Sequence, residues 1–395
     1  MKINLREEFF TEKEFVIAES KSLKATAFRY STGIAALKIE NKKGYFIILP
    51  FMGQQIWRAE FNGRKLGMKT TFEEPVPNVS YLMTYGGFLY HCGISSIGAP
   101  DENHLQHGEI PNIKYKDAYI IVDENEKGAF MTVGGNLDYN IGFVKRYMFM
   151  PTCTLYEDAS VMEIDSELKN MRNVPMEYAY LCHINYAPID GAKLYYNAKL
   201  KTVHKSIPDY MSDEEKKNFA EFMDKMEKDI SFGDIVGGEG QIYDPELCFT
   251  MMYEGEEGHT LQYVEGEGAC YVKHSTNSLP YAIRWISRTN YEDALGMVLP
   301  STCEHLGYKY IKENNQIKYL KGNESVNFKM TVGWLDDAEA KKILTQISYS
   351  VFFCYLFCFH KCIYLSLDFS NNFIGACKLI LFFHFCKKLF SVCRT

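Results

Sequence analysis

The chain has 395 residues, a formal net charge of −7, 15% aromatic residues and twelve cysteines. This length suits one large β domain or two ordinary domains, and an acidic chain without basic runs argues against nucleic acid as a partner. The first residues lack the apolar core of a signal peptide. The cysteines before residue 345 show no metal-type spacing, so we expect free thiols in a cytoplasmic protein.

Short apolar runs separated by Gly, Asn, Asp or Pro recur from residue 14 to about residue 200. Examples are Gly44–Pro50, Ala118–Asp123 and Ser160–Leu168. The last of these alternates apolar and polar residues, which is typical of a half-buried strand. Many short strands with turn signals between them predict a sandwich or a barrel. No dinucleotide-binding fingerprint opens a helix.

One helix is predicted over about residues 212–228. Ser212 and Glu215 have the spacing of a capping box. Apolar residues then recur at helical spacing, namely Phe219, Phe222, Met223 and Met226. We predict a short helical insertion on the rim of the β domain. Strands resume at Gln241, a final strand follows within 322–333, and a short helix begins at Asp336.

Residues 348–395 differ in kind from the rest of the chain. They are rich in Phe, Cys, Ile and Leu and show no amphipathic period. His360, Lys361 and Lys378 interrupt the apolar runs, which therefore stay below the ~20 residues of a membrane span. We interpret this tail as translated non-coding sequence outside the fold. A membrane hairpin and a genuine added element are the alternatives.

Three histidines are the candidates for chemistry. His91 and His107 lie in glycine-rich surroundings, and His183 lies in an apolar, strand-like run. Imidazole is well suited to proton transfer near neutral pH, although each could also be a satisfied structural histidine. His104 with His91 and His107 could ligate a metal, but the segment reads as a loop and no carboxylate completes the set. We therefore predict no metal.

These histidines and their flanking residues resemble the aldose 1-epimerase (galactose mutarotase-like) superfamily. The similarity is to its branch of uncharacterised epimerase-like proteins of DUF4432 type, which carries CG…G.P, HG.I.N and H.N.G.P blocks in this order. It covers roughly residues 1–345. The resemblance implies an all-β, galactose mutarotase-like β-supersandwich over residues 1–347 with a short helical insertion. It also implies a sugar partner, no cofactor and no membrane.

The resemblance assigns roles to particular residues. It implies that His183 is the acid, that His107 is a second catalytic histidine, and that His91 is a further pocket member. Amides in the same blocks could bind sugar hydroxyls, because an amide can donate and accept at once; they are Asn112, Asn173 and Asn185. Turn-forming asparagines are the alternative.

The catalytic carboxylate is where the sequence departs from the family. The family presents a Glu just before a Pro on a late strand, and here Leu299 precedes Pro300. Glu304 is the nearest substitute for the base. Arg284 and Trp285 resemble the family's tryptophan strand, so Trp285 could stack on a sugar face and Arg284 could hold a carboxylate or a hydroxyl.

Three functions therefore stay open at this stage. The first is an isomerase acting at the anomeric carbon by acid/base ring opening. The second is a catalytically silent sugar-binding protein on the same scaffold, which Leu299 favours. The third is a ketol isomerase, which would need a metal. We predict that His91, His107 and His183 converge on one concave, aromatic-lined pocket.

Overall fold

The computed structural model describes residues 1–203, 207, 210–237, 246–253 and 255–348. Contacts group Met1–Leu344 into one compact unit. Within these ranges the chain forms two large antiparallel sheets and few helices, which confirms the predicted all-β class. The tail predicted over 348–395 lies, apart from Ser348, outside the described residues.

In chain order the strands are β1 (Lys2–Leu5), β2 (Phe15–Ser20), β3 (Leu23–Arg29), β4 (Ala35–Asn41), β5 (Gly44–Ile48), β6 (Ile56–Phe61), β7 (Arg64–Lys65), β8 (Leu89–Ile94), β9 (Asp117–Asn125), β10 (Gly128–Ile141), β11 (Lys145–Tyr156), β12 (Val161–Asn170), β13 (Met176–Ile184), β14 (Lys193–Tyr196), β15 (Ala198–Val203), β16 (Leu247–Tyr253), β17 (Glu257–Val264), β18 (Gly268–Ser275), β19 (Tyr281–Arg288), β20 (Asp293–Ser301), β21 (Lys318–Leu320) and β22 (Ser325–Asp336). The helices are α1 (Asp213–Lys228) and α2 (Tyr308–Glu313), with residues 337–348 also helical and single 3-10 turns at Glu7–Phe9, Tyr81–Thr84 and Ile230–Gly233.

The strands divide into a smaller and a larger sheet. The smaller sheet has the order β1-β9-β10-β11-β12-β22-β18-β17-β14. The larger has the order β15-β16-β19-β20-β13-β8-β6-β5-β4-β3-β2, with β21 paired to β13 and β7 to β6. The three strands predicted in the first half of the chain are confirmed as β5, β9 and β12. In β12 every second residue is buried, as its alternating sequence predicts.

The core lies between the two sheets. Tyr180 of β13 stacks on Phe328 of β22, with ring centroids 4.1 Å apart. The hydroxyl of Tyr186, just after β13, donates to the backbone carbonyls of Tyr271 and Gly333 in the smaller sheet. These contacts define the inner face of β13. Because side chains alternate along a strand, the residues between them face the outer side of the larger sheet.

The predicted helical insertion is confirmed as α1. Its capping box is complete, because the Ser212 hydroxyl accepts from the Glu215 backbone N–H while the Glu215 carboxylate accepts from the Ser212 backbone N–H. The apolar residues identified at helical spacing are buried. The helix packs beside β15, the edge strand of the larger sheet, which is the predicted rim position. Among the described helices, none has the length and apolar character needed to cross a membrane.

Candidate active site

A cavity of about 410 Å³ lies against the outer face of the larger sheet. Its floor comes from four strands that are neighbours in that sheet. The residues are Leu181 and His183 of β13, Ile283 and Trp285 of β19, Cys248 of β16 and Leu299 of β20. The strand register explains why they share a face, since Ile283 pairs with Leu299 and Cys248 pairs with Trp285. Directly paired residues of antiparallel strands point to the same side of the sheet.

Loops supply the walls of the cavity. The segment around Tyr81 and Tyr85 forms one wall, and residues 98–107 with His305 and Leu306 form another. The histidine of the HGEIPN motif is presented by this second loop. His107 adopts a left-handed backbone with φ of 58°. Glu109 holds the loop to the sheets, because its carboxylate accepts hydrogen bonds from the Ser95 backbone and the Tyr147 hydroxyl.

His183 is fixed in the floor by Asn185. Its Nδ1 lies 2.7 Å from the Asn185 Oδ1, which also accepts from the Tyr85 hydroxyl at 3.1 Å. Burial lowers the pKa of His183 to about 4, and the hydrogen bond to Asn185 acts in the opposite direction. The ring is therefore neutral at physiological pH.

His107 lies beside His183 in the cavity. The centroids of the two imidazoles are 5.2 Å apart and the rings are nearly perpendicular. Burial is the main cause that holds the pKa of His107 well below its ordinary value, and the nearby His183 and His305 lower it further. Aromatic rings surround the pair, with Tyr81 at 4.8 Å from His107 and Trp285 at 5.3 Å from His183. The structure thus brings His107, His183 and Trp285, three of the predicted site residues, together in the lining of one cavity.

Several cavity residues were missed at the sequence level. His305 is the third cavity histidine, and its Nε2 lies 3.2 Å from the Sγ of Cys248. Burial raises the pKa of this thiol well above its ordinary value. Glu246 accepts a hydrogen bond from the Trp285 indole at 2.5 Å. Tyr81 and Tyr85 were also missed, and only their position beside the glycine-rich histidine run could have indicated them.

His91 does not join the other two histidines. It pairs with Cys182 in the register of β8 and β13, whereas His183 pairs with Tyr90. His91 therefore faces the interior, where its ring contacts Phe149 of the smaller sheet. Its Nδ1 lies 2.7 Å from the Tyr180 hydroxyl. The prediction that all three histidines converge is wrong for His91.

Glu304 is not in the cavity either. It is only 1% exposed, and its Oε2 accepts hydrogen bonds from the Gln316 amide and the Tyr310 hydroxyl. The cavity is lined instead by its neighbour His305 and by Leu299. The predicted base is therefore directed to structural partners behind the cavity wall.

The remaining predicted binding residues lie elsewhere. Asn112 donates to the Ser80 carbonyl and accepts from Gln55, so it ties the loop before Tyr81 to the sheet. Asn173 lies in an exposed turn. Asn185 lies beneath the cavity and supports His183. Asn112 and Asn173 do not line the cavity. Among the described residues, no group of three or more His, Cys, Asp or Glu side chains could hold a metal ion.

Arg284 faces the interior, away from the cavity occupied by its neighbour Trp285. Its Nη1 lies 3.3 Å from the Asp234 Oδ1, and its Nε donates to the Met297 carbonyl. The guanidinium also lies over the ring of Tyr196, 4.4 Å from its centroid. With 1% exposure, this arginine cannot reach a ligand in the cavity.

The buried pair of Arg284 and Asp234 leads to a stability prediction. Asp234→Asn keeps the shape but leaves the arginine charge unpaired, so it should lower the free energy of unfolding by about 3 kcal/mol. Arg284→Met should cost less, because the buried charge leaves with the side chain. Urea unfolding of the two variants measures the difference. A larger loss for Arg284→Met would contradict the ion-pair explanation.

The two sheets form a galactose mutarotase-like fold. The model of the family described as "Domain of unknown function (DUF4432)" matches residues 31–333. The chain belongs to this family. No curated protein matches the chain significantly.

Solved structures show the same fold at low sequence identity. A protein from Klebsiella pneumoniae, described as a "putative aldose 1-epimerase", superposes with a TM-score of 0.70 at 14% identity, covering 85% of this chain and 95% of that one. A galactose mutarotase-like protein from Clostridium acetobutylicum gives a TM-score of 0.54 at 12% identity, covering 80% of this chain and 100% of its own. At such identities the likeness establishes the fold alone.

Proposed function

We propose that this protein binds a sugar or sugar derivative and isomerises it at the anomeric carbon by acid/base ring opening, as an aldose 1-epimerase does. The observation that carries the proposal is the pair of neutral imidazoles, His107 and His183, side by side in an aromatic-lined cavity. The cavity volume of about 410 Å³ is in the range of small-molecule sites.

The lining suits a monosaccharide. Trp285, Tyr81 and Tyr85 offer flat apolar faces for the C–H side of a sugar ring, while imidazoles and hydroxyls offer hydrogen bonds to its polar edge. The reaction requires only positioned proton transfer, which typically contributes ~10²–10⁴-fold per group. It needs no cofactor.

A silent sugar-binding protein is the second candidate. The supporting observation is that Leu299 lines the cavity while Glu304 is hydrogen-bonded outside it. Such a protein would bind a sugar without changing the rate at which its anomers equilibrate.

Exchange NMR on a panel of free aldoses separates the two candidates. We expect the wild-type protein to speed anomer exchange of at least one sugar. Trp285→Ala should raise KM by more than tenfold with a smaller effect on kcat, because it removes binding that is equal in the ground and transition states. Trp285→Phe, which keeps an aromatic face, is the matched control. Calorimetric binding without any rate increase would identify the silent binder.

A further inference from the structure

Asn185 fixes the tautomer of His183. The Asn185 Nδ2 lies 3.0 Å from the Gly87 carbonyl oxygen. A carbonyl only accepts, so the amide nitrogen must be on that side and the Oδ1 must face the His183 Nδ1. Because this oxygen also only accepts, the proton of the neutral imidazole lies on Nδ1. The Nε2 of His183 is left with a free lone pair.

The backbone fixes the opposite tautomer at His107. The Gly98 N–H donates to the His107 Nδ1 at 3.3 Å. A backbone amide only donates, so Nδ1 is unprotonated and the neutral ring carries its proton on Nε2. A hydrogen bond between the His107 N–H and the Gly98 carbonyl holds the two residues in register.

Both Nε2 atoms are available to a ligand. Neither has a hydrogen-bond partner among the described residues, and both rings line the cavity. The cavity thus presents one imidazole acceptor and one imidazole donor on adjacent rings. The single carboxylate among its lining residues is Glu246, which already accepts from the Trp285 indole.

We infer that His183, through its Nε2, is the base of the proposed isomerisation rather than its acid, and that His107 donates a hydrogen bond from Nε2–H. Asn185 is the positioning residue that keeps His183 in the accepting tautomer. This assignment rests on the proposed function and replaces Glu304 as the base.

These two rings account for every proton that moves in the reaction. The Nε2 of His183 takes the proton of the anomeric hydroxyl, the C1–O1 bond becomes a carbonyl, and the electron pair of the C1–O5 bond moves to O5. The Nε2–H of His107 stabilises the negative charge that develops on O5 and is not consumed. The imidazolium of His183 then protonates O5. One ring can serve both oxygens because O1 and O5 were bonded to the same carbon, C1. After rotation about C1–C2, the reverse steps on the other carbonyl face give the other anomer.

The environment keeps His183 neutral, so that its Nε2 can accept a proton at physiological pH. Burial brings its pKa to about 4, close to the ordinary value of about 4.3 for a glutamate carboxyl. The imidazole can therefore take the part of the carboxylate that is missing at Leu299. Six titratable side chains line the cavity around it: Tyr81, Tyr85, His107, Glu246, Cys248 and His305.

The first test compares single substitutions by exchange NMR on the sugar that the wild-type protein accepts. His183→Gln should lower the rate by ~10²–10⁴-fold, because an amide cannot take the proton. His259→Gln, in β17 of the smaller sheet, is the matched control and should keep the rate. Glu304→Gln should also keep it. Loss of the rate in Glu304→Gln with retention in His183→Gln would overturn the assignment.

The second test measures the tautomers of His183 and His107, and the pH dependence of the rate that follows from them. Long-range ¹H–¹⁵N correlation spectra of the wild-type protein should show a protonated Nδ1 in His183 and a protonated Nε2 in His107. Asn185→Asp places a carboxylate against Nδ1, so the acid limb of the pH–rate profile should move up by more than one pH unit. The exposed Asn140→Asp is the control and should leave the profile in place. A protonated Nε2 in His183, or an unmoved profile in Asn185→Asp, would contradict the inference.

These outcomes also separate the inference from the proposed function. A wild-type protein without activity on the whole panel would remove the proposed function, and the catalytic roles with it. An active wild type whose rate survives His183→Gln would remove the roles alone.

Discussion

Acidification from pH 7 to pH 5 is expected to lower the free energy of unfolding of this protein steeply, because its buried histidines are held in the neutral form. Burial lowers the pKa of His91 and His274 to about 3, that of His183 to about 4, and that of His107 well below its ordinary value. His91, His183 and His274 are more than 90% buried, and His107 lines the cavity beside His183. They must remain uncharged for the fold to persist.

The direction of the effect follows from proton binding. An unfolded chain has histidine pKa values near 6.5, so below that pH the unfolded state binds protons that the folded state does not. The stabilisation that these histidines give to the folded state is complete above pH 6.5. It falls as the pH drops toward the pKa values that they have in the folded state. Each histidine loses about 1.4 kcal/mol per pH unit below pH 6.5, so the three with folded pKa values of about 3 to 4 lose about 6 kcal/mol at pH 5, compared with a typical total stability of about 5–15 kcal/mol.

Urea unfolding followed by circular dichroism at half-unit pH steps measures this loss. His274→Phe provides the informative variant, because neither ring nitrogen of His274 has a hydrogen-bond partner among the described residues. Phenylalanine preserves the edge contact with Tyr253 and removes the titration. The slope of stability against pH should decrease by about 1.4 kcal/mol per pH unit. A wild-type stability that is constant between pH 7 and pH 5 would refute the prediction.

The sequence could identify motifs but not which way their side chains point. Arg284 and Trp285 are neighbours on one strand, and alternation means that at most one of them can line the cavity. Glu304 and His305 lie in the loop after β20, where no alternation decides which of them faces the cavity. In both pairs the polar pattern gave no information on which residue faces outward. For Arg284 and Trp285 that choice depends on which face of β19 is the inner one, and only the packing of the second sheet defines this.

Register accounts for the misplacement of His91. It lies on β8, directly beside β13, which carries His183, so the two histidines are close in the sheet. A shift of one residue in the pairing would have turned His91 outward. Motif spacing along the chain does not determine the pairing across strands. By contrast, α1 was predicted to within a residue, because its capping box and its apolar period are local signals.

The tyrosines of the cavity illustrate a different limit. Tyr81 and Tyr85 come from a 3-10 turn and the loop after it, and neither belongs to a periodic pattern. Their position depends on distant hydrogen bonds, such as that from Asn112 to the Ser80 carbonyl. Asn112, which was predicted to bind the sugar, instead holds this loop and does not line the cavity.

Gly98→Ala is expected to disrupt both the fold and the site. Gly98 has φ of 77°, and a Cβ at this position would lie 1.6 Å from the His305 carbonyl oxygen and 2.3 Å from its carbon. Both neighbours are backbone, so the loops carrying His107 and His305 would have to separate. Because the Gly98 N–H also donates to the His107 Nδ1, the same movement would release the catalytic tautomer.

Gly63→Ala is the control that separates the effect of the steric clash on stability from the effect of the left-handed backbone. Gly63 has a similar φ of 74°, but no atom lies within 4 Å of its Cβ position. It should lose only the cost of a left-handed residue, about 1–2 kcal/mol, whereas Gly98→Ala should lose more than about 4 kcal/mol. Urea unfolding gives both values, and exchange NMR at a temperature where both variants are folded should show the sugar rate lost only in Gly98→Ala. Equal losses in the two variants would mean that the approach of residue 98 to His305 does not hold the cavity together.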